Sequence, residues 1–560
     1  MTPPRFYSAP RRMRSLPSAL ARRAVAVGAL AAAAAGCDDP LSVRNENQPI
    51  VDDVFATSTG TETITSRLFQ ITFSGMYGSN DAIFPQMLTL SGENESTVAN
   101  FGMLVRGTLP RTNIDNAIGN AVALGNNRDF SFLSRVTRQA AIALNRLDGF
   151  KDSYTVADYT RNRAVAYFVH GYALGNLSLV YDSVGVVTKA TAADSVPPFT
   201  AAARANEIAI AHLDTAFALA TSTEATGATI PATWFSQTSA ISMANFGRII
   251  RTTRARMRAY VPRSPAENSA VNWAAVRDDA AAGIQSSFII NLNQGLGWTV
   301  AWLNQAPVSA SWHQMPYWVI GMADTTGAYA TWLNAGQPNL RTNFLIRTPD
   351  RRFPAGESRA AQNAVFPALQ PADTVGYFRN RLAGLDAGGG PTNGSFYDHF
   401  RFRGYFVANQ VGPWPILTVA ENDLLLAEAH IRLGNVAPAL PLIDRYRTRN
   451  GLPALVGRVT AVSDLVPGGN ACVPRTPSRS GSTFSLQCAN VLEALKYEKR
   501  LETAFTGYGA WFFDGRRWGD LINGTPVEWP VPFNELNARN LPVYSNRNVA
   551  PNTNTYGWSF

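Results

Sequence analysis

Apolar residues recur along much of this chain at spacings of three, four and seven, which puts them on one face of a helix. Val136, Ala140, Ala143, Leu144 and Leu147 form one such stripe, and Val165, Phe168, Val169 and Tyr172 a second. Ala209, Leu213, Ala216 and Ala220 form a third, and Trp273, Val276, Ala280 and Ile284 a fourth. Leu426, Ala429, His430 and Leu433 suggest a fifth. The clearest unit runs from Glu421 to Arg449 and reads as two helices. Gly434-Asn435 stops the first, since glycine accepts the left-handed cap conformation. The second starts near Val436 and ends before Asn450-Gly451. Ala427, Ala429, Ala437 and Ala439 are small enough for the two helices to approach closely.

Further pairs are expected near 135–180, between 200–220 and 241–261, and at 273–286. They follow no fixed repeat length, so the pattern is tetratricopeptide-like rather than a regular array. Two stretches break it. Residues 287–420 are rich in Gly, Pro, Asn and aromatics, and residues 451–490 read as a second loop. No segment after residue 60 has the composition of an interdomain linker. The expected fold is therefore mainly α: tetratricopeptide-like helical pairs with long irregular loop insertions, in a single compact domain over 61–560.

The first 36 residues stand apart. They hold six arginines and no acid, followed by an apolar run from Ala24 to Ala35. That run is too short for a hydrocarbon core about 30 Å thick, so 1–36 reads as a signal peptide. Its junction, Ala34-Ala35-Gly36-Cys37, resembles a lipobox, with Cys37 as the lipid attachment point and 37–60 as an anchored tether. Asp38-Asp39 behind it leaves the leaflet open. The leader also explains most of the net charge of +9: without it 43 basic and 40 acidic residues remain. With no basic stripe interleaved with aromatics, nucleic acid is not an expected partner.

Cysteine usage fits export. Besides Cys37 there are only Cys472 and Cys488, flanking a Pro-, Ser-, Gly- and Thr-rich stretch. An oxidising compartment favours a disulfide between them, two free buried thiols being the alternative.

Two segments resemble the C-terminal half of SusD/RagB outer-membrane nutrient-binding lipoproteins. One is Glu421-Asn422-Asp423-Leu424-Leu425-Leu426-Ala427-Glu428-Ala429-His430, continuing through Arg447 and Gly451. The other is Tyr497-Glu498-Lys499-Arg500-Leu501-Glu502, then Phe505, Gly507, Trp511, Asp514, Arg517 and Trp518. Trp529-Pro530-Val531-Pro532 is a further echo, and Thr506 departs from the family, which usually has an acid there. Ala494, Glu498, Leu501 and Phe505 share helical spacing, so Glu498 needs a cationic partner, for which Arg516 or Arg517 is expected. The resemblance implies a lipid-anchored, surface-exposed outer-membrane protein. Such a protein binds a nutrient, foremost a glycan or oligosaccharide, and delivers it to a SusC-like TonB-dependent transporter.

The chemistry along the chain suits binding. It has no H-E-x-x-H, G-x-S-x-G or phosphate-loop motif, and five scattered histidines without metal-ligand spacing. No cofactor, no metal and no catalytic residue is expected. Five of the twelve tryptophans lie between Trp298 and Trp332. An indole can cover the C–H face of a sugar while amides and carboxylates take its hydroxyls. Trp298, Trp302, Trp312, Tyr317 and Trp318 are therefore ligand-binding candidates, with Asn304, Gln305, Gln314 and Asp324 nearby. By resemblance a second loop, Met76 to Phe101, adds Tyr77, Asn80 and Asp81, with Glu93 and Asn94 in the same stretch. A glycan-cleaving surface lipoprotein and a protein-interaction scaffold are the alternatives, because paired carboxylates are recognised by geometry rather than spacing.

Overall fold

The computed structural model describes residues 55–192, 195–304, 309–365 and 376–551, with 556 and 558. The signal peptide, Cys37, most of the tether and Gln305 lie outside the described residues. Ten helices carry the scaffold: α1 (Ser58–Tyr77), α2 (Ile83–Leu90), α3 (Ala123–Gly149), α4 (Val156–Val180), α5 (Ala202–Ala220), α6 (Met243–Tyr260), α7 (Trp273–Ala281), α8 (Val419–Arg432), α9 (Val436–Arg449) and α10 (Val491–Thr503). One more, α11 (Ala510–Trp518), follows. From α3 to α9 each helix in this series packs on the next, and α8 also packs on α10. This stepwise packing is what tetratricopeptide-like pairs produce.

Local chemistry sets the starts of these helices. Thr57, Thr155, Ser242, Thr418 and Asn490 precede α1, α4, α6, α8 and α10, and each accepts a hydrogen bond from a first-turn N–H. Such a cap contributes about 1 kcal/mol. Helix α4 is buried over nearly its whole length. Two glycines let its neighbours in. A Cβ on Gly171 would lie 2.8 Å from the Ala209 carbonyl oxygen on α5, and one on Gly175 2.7 Å from the Met257 sulfur on α6.

The predicted stripes on α3, α4, α5 and α7 are interior, though Ile284 is buried just beyond the end of its helix. The fifth is displaced. Leu433 is exposed and Leu426 and His430 are half-buried, while Leu424, Leu425, Ala427, Glu428 and Ala429 face inward. The buried face includes a carboxylate, Glu428, and apolar spacing alone passes over it. The α9 bounds match expectation, and Gly434 takes φ +79°.

Both insertions contain short paired strands. The long one enters through β1 (Phe288–Asn293) and leaves through β4 (Val411–Leu417), which pair antiparallel across its base. Inside it β2 (Phe378–Asn380) pairs with β3 (Tyr397–His399). The second holds the hairpin β5 (Arg475–Ser480) and β6 (Thr483–Cys488). Cys472 and Cys488 are bonded at S–S 1.99 Å.

Glu498 does not meet Arg516 or Arg517. Its carboxylate lies 2.9 Å from Arg352, which reaches in from the long insertion, and 3.4 Å from Arg447 on α9. Glu502 on the same helix accepts from Arg449 at 2.6 Å and from the Tyr377 hydroxyl at 2.8 Å. The Tyr497-to-Glu502 motif thus fastens the insertion to the scaffold. Phe505 lies beyond the end of α10 with φ +57°, so it does not extend the predicted stripe.

Candidate ligand-binding site

Three loop segments converge on one side of the insertion. The 93–97 segment pairs with 311–314: Glu95 N–H donates to the Gln314 carbonyl at 2.8 Å, Gln314 N–H returns the bond at 3.0 Å, and Thr97 N–H donates to Ser311. The third segment, 390–397, wraps the Glu95 carboxylate. That carboxylate accepts from Thr392 N–H at 2.9 Å, from Gly394 N–H at 3.1 Å and from the Thr392 hydroxyl. Gly390 and Gly394 are required here, because a Cβ on either would collide with Glu95 or Gln314 respectively. Burial lifts Glu95 above its ordinary range, and these donors oppose the shift.

A second buried layer lies beneath. His313 Nε2 accepts from His399 N–H at 2.8 Å, so Nδ1 carries the proton and donates to Asn94 Oδ1 at 2.7 Å. Burial lowers His313 to about 3 and keeps it neutral. Next to Asn94 in sequence, Glu93 accepts from Phe505 N–H at 2.6 Å. Burial lifts its carboxyl to about 8. These interior polar bonds fix the loops above them.

On this base stands a short helix, Met103–Gly107, with a cleft on either side. One cleft holds about 420 Å³. Leu90, Val105, Ile114, Val122 and Pro526 supply its apolar wall, and Arg106, Thr112, Asn113, Asp115, Asn120 and Asn126 its polar groups. That volume and mixture suit a small polar ligand. The other, about 490 Å³, is lined by Leu104, Pro110, Pro338, Gly390 and Pro391 among others.

Phe101 lies between Ala99 and Gly102, two residues that line the first cleft. It is 36% exposed and holds φ +54°, a left-handed conformation that costs an aromatic residue on the order of 1 kcal/mol. Arg106 Nη1 donates to its carbonyl oxygen. Gly102 follows at φ +70°, where a Cβ would sit 2.7 Å from that same nitrogen. The Phe101 ring lies 6.0 Å from that of Trp312, which is half-buried and backed by Trp302 at 6.1 Å. A partly accessible aromatic residue, paired with Trp312, thus sits next in sequence to residues lining a cleft rich in amides.

The tryptophan cluster is mostly interior. Trp298 is buried against Phe69 and Phe73 of α1, with ring centroids 6.3 and 5.4 Å away. Trp302 and Trp318 are buried, and Trp318 lies under the Arg341 guanidinium at 4.9 Å. Tyr317 is buried and its hydroxyl donates to the Phe344 carbonyl at 2.7 Å. Tyr77 is enclosed by Phe73, Phe84 and Trp414. Each ring is large enough that packing it against another element outweighs leaving it in water. As described, these five residues offer no ring face to solvent, and Trp312 is the ring of this group that does. Asn80 and Asp81 are half-buried on the turn between α1 and α2 and line neither cleft. Asn304 is half-buried, whereas Gln314, Asp324, Glu93 and Asn94 are interior. Arg106, Asn113, Asn120 and Asn126 follow no periodic spacing that marks them in the sequence. The one local signal for this region was an aromatic followed by glycine, Phe101-Gly102.

Residues 329–557 match the model of the SusD family. A SusD superfamily protein from Bacteroides thetaiotaomicron superposes with a TM-score of 0.52 at 12% identity, over 88% of this chain and 99% of that one. A SusD-like carbohydrate binding protein from Bacteroides fragilis gives 0.51 at 14% identity, over 90% and 97%. A SusD homolog from Parabacteroides distasonis gives 0.50 at 11%, over 82% and 84%. No curated protein matches significantly. At these identities the superpositions speak for the fold alone, and the matched family region contains α8 to α11 together with the motifs around Glu428 and Glu498. Over residues 329–557 the chain is similar to the SusD family, and its fold is that of the SusD-like structures it superposes on.

Proposed function

We propose that this protein binds a glycan in the cleft beside Phe101 and passes it to a SusC-like TonB-dependent transporter, without chemical change. The observation that carries this reading is a cleft of about 420 Å³ with three asparagines in its wall, lined by Gly102 next in sequence to the partly exposed Phe101, whose ring lies 6.0 Å from that of half-buried Trp312. Aromatic faces cover the apolar side of a sugar, and amides exchange hydrogen bonds with its hydroxyls. The B. fragilis relative is itself described as carbohydrate binding, which supports the same reading. Attachment to the outer membrane is assigned to Cys37, and no described helix is long and apolar enough to cross a membrane.

Glycan cleavage calls for two carboxylates about 5 to 9.5 Å apart. Asp115 is the one carboxylate among the described residues that line this cleft, which favours capture over hydrolysis. A glycan screen with chromatographic analysis of hits tests the assignment: saturable binding with intact ligand is expected, and released product would overturn it.

A further inference from the structure

Among the described residues, Arg106 is the cation that lines this cleft, and no described carboxylate pairs with it. Arg106 half-emerges into it, and its one protein hydrogen bond among the described residues runs from Nη1 to the Phe101 carbonyl oxygen. No carboxylate lies within 4 Å of its guanidinium among the described residues, and the same holds for its neighbour Arg111, which donates to backbone carbonyls. Asp115, the acid in the cleft wall, spends Oδ1 on the Ala117 N–H at 2.9 Å within its own turn. Burial with no opposing carboxylate lowers Arg106 to about 10. A guanidinium presents its N–H donors in a planar fork that matches a carboxylate or sulfate. Among the described residues, the remaining donors of Arg106, on Nε and Nη2, meet no protein acceptor. The surrounding wall is built of Asn113, Asn120 and Asn126, which supply hydroxyl partners rather than counter-charge.

We infer that the preferred ligand is an acidic saccharide, whose carboxylate or sulfate pairs with Arg106 while its ring lies toward Phe101. This rests on the glycan-binding reading and adds the charge of the ligand to it.

The test is calorimetric titration of the full mature chain with trigalacturonic acid, its neutral trimethyl ester, a sulfated lactose and tri-glutamate. The expected result is a preference for acid over ester of about tenfold or more, falling as salt is raised. In Arg106→Gln the acid-to-ester ratio should fall to near one, and in Arg106→Lys it should lie between, with unfolding midpoints reporting that each variant is folded. Equal affinity for acid and ester in the wild type overturns the inference and leaves the glycan reading standing. A preference that survives Arg106→Gln removes Arg106 from the role. Tri-glutamate binding as tightly as the acidic sugar overturns the saccharide part alone. No binding by any of the three sugars overturns both. A tighter grip on sulfated lactose than on trigalacturonic acid names sulfate as the recognised group.

Discussion

The Arg517 guanidinium and the Glu428 carboxylate meet in the interior, Nη1 to Oε1 at 2.7 Å, with both side chains fully buried. The same carboxylate accepts from the Trp518 indole N–H at 2.8 Å, and Arg517 also reaches Asp514 at 2.7 Å. This joins α8 to α11. Removing one partner of such a pair leaves the other buried and unmatched, so Glu428→Gln should lower stability by about 3 to 5 kcal/mol. Burial pushes the Glu428 carboxyl up, and Arg517 with Lys499 and Arg432 outweighs that, holding it well below the usual carboxylate range. A depressed folded value contributes stability above the unfolded value of about 4.5 that is lost as pH falls below it. Denaturant unfolding at pH 7 and pH 3 should therefore show a smaller difference between wild type and variant at pH 3.

Glu93 has the opposite sign. Its carboxyl is lifted from 4.5 to about 8 by burial, with the bond from Phe505 N–H opposing. Between those values the unfolded chain has released a proton that the folded chain keeps, so this group's contribution falls as pH rises from about 4.5 to 8. The slope approaches roughly 1.4 kcal/mol per pH unit. Glu93→Gln should gain stability relative to wild type at pH 8 compared with pH 5. A constant difference across that range would show that Glu93 does not titrate there.

Trp302 and Phe101 differ in role. Trp302→Ala removes a buried ring and should cost about 3 to 5 kcal/mol of stability. Phe101→Gly should leave stability equal or raise it by up to about 1 kcal/mol, since glycine adopts the positive φ freely. Thermal unfolding of the two variants separates these outcomes.

The Cys472–Cys488 bond closes a loop of sequence separation 16, for which the chain-entropy model gives on the order of 3 kcal/mol. The Cys472→Ser/Cys488→Ser double variant should lose about that much and should be cleaved faster by protease within 451–490. Equal cleavage rates would indicate that the packing of β5 and β6 holds the loop unaided.

Most of the scaffold was legible in the sequence because helical burial is local and periodic. Helix α9 and the Gly434 stop of α8 before it were legible in this way. The α8 face was misplaced because its inward position belongs to Glu428, whose partner Arg517 is 89 residues away. Glu498 does meet a cation, but it is Arg352 rather than Arg516 or Arg517, and Arg352 lies in an insertion without periodicity. The tryptophan cluster signalled a packed insertion as much as a site. Trp298 finds its neighbours on α1, more than 200 residues earlier, and no local pattern records that contact. Asn113 and Asn120 lie in a loop where asparagines, read singly, look like ordinary turn formers, and Asn126 sits in the first turn of α3.

The most direct test of the account is glycan titration of the mature chain in parallel with Phe101→Gly and Trp312→Ala. The account predicts saturable binding with no product, weakened by about tenfold in each variant while both remain folded. Undiminished affinity in both variants would contradict it and move the site away from this aromatic pair.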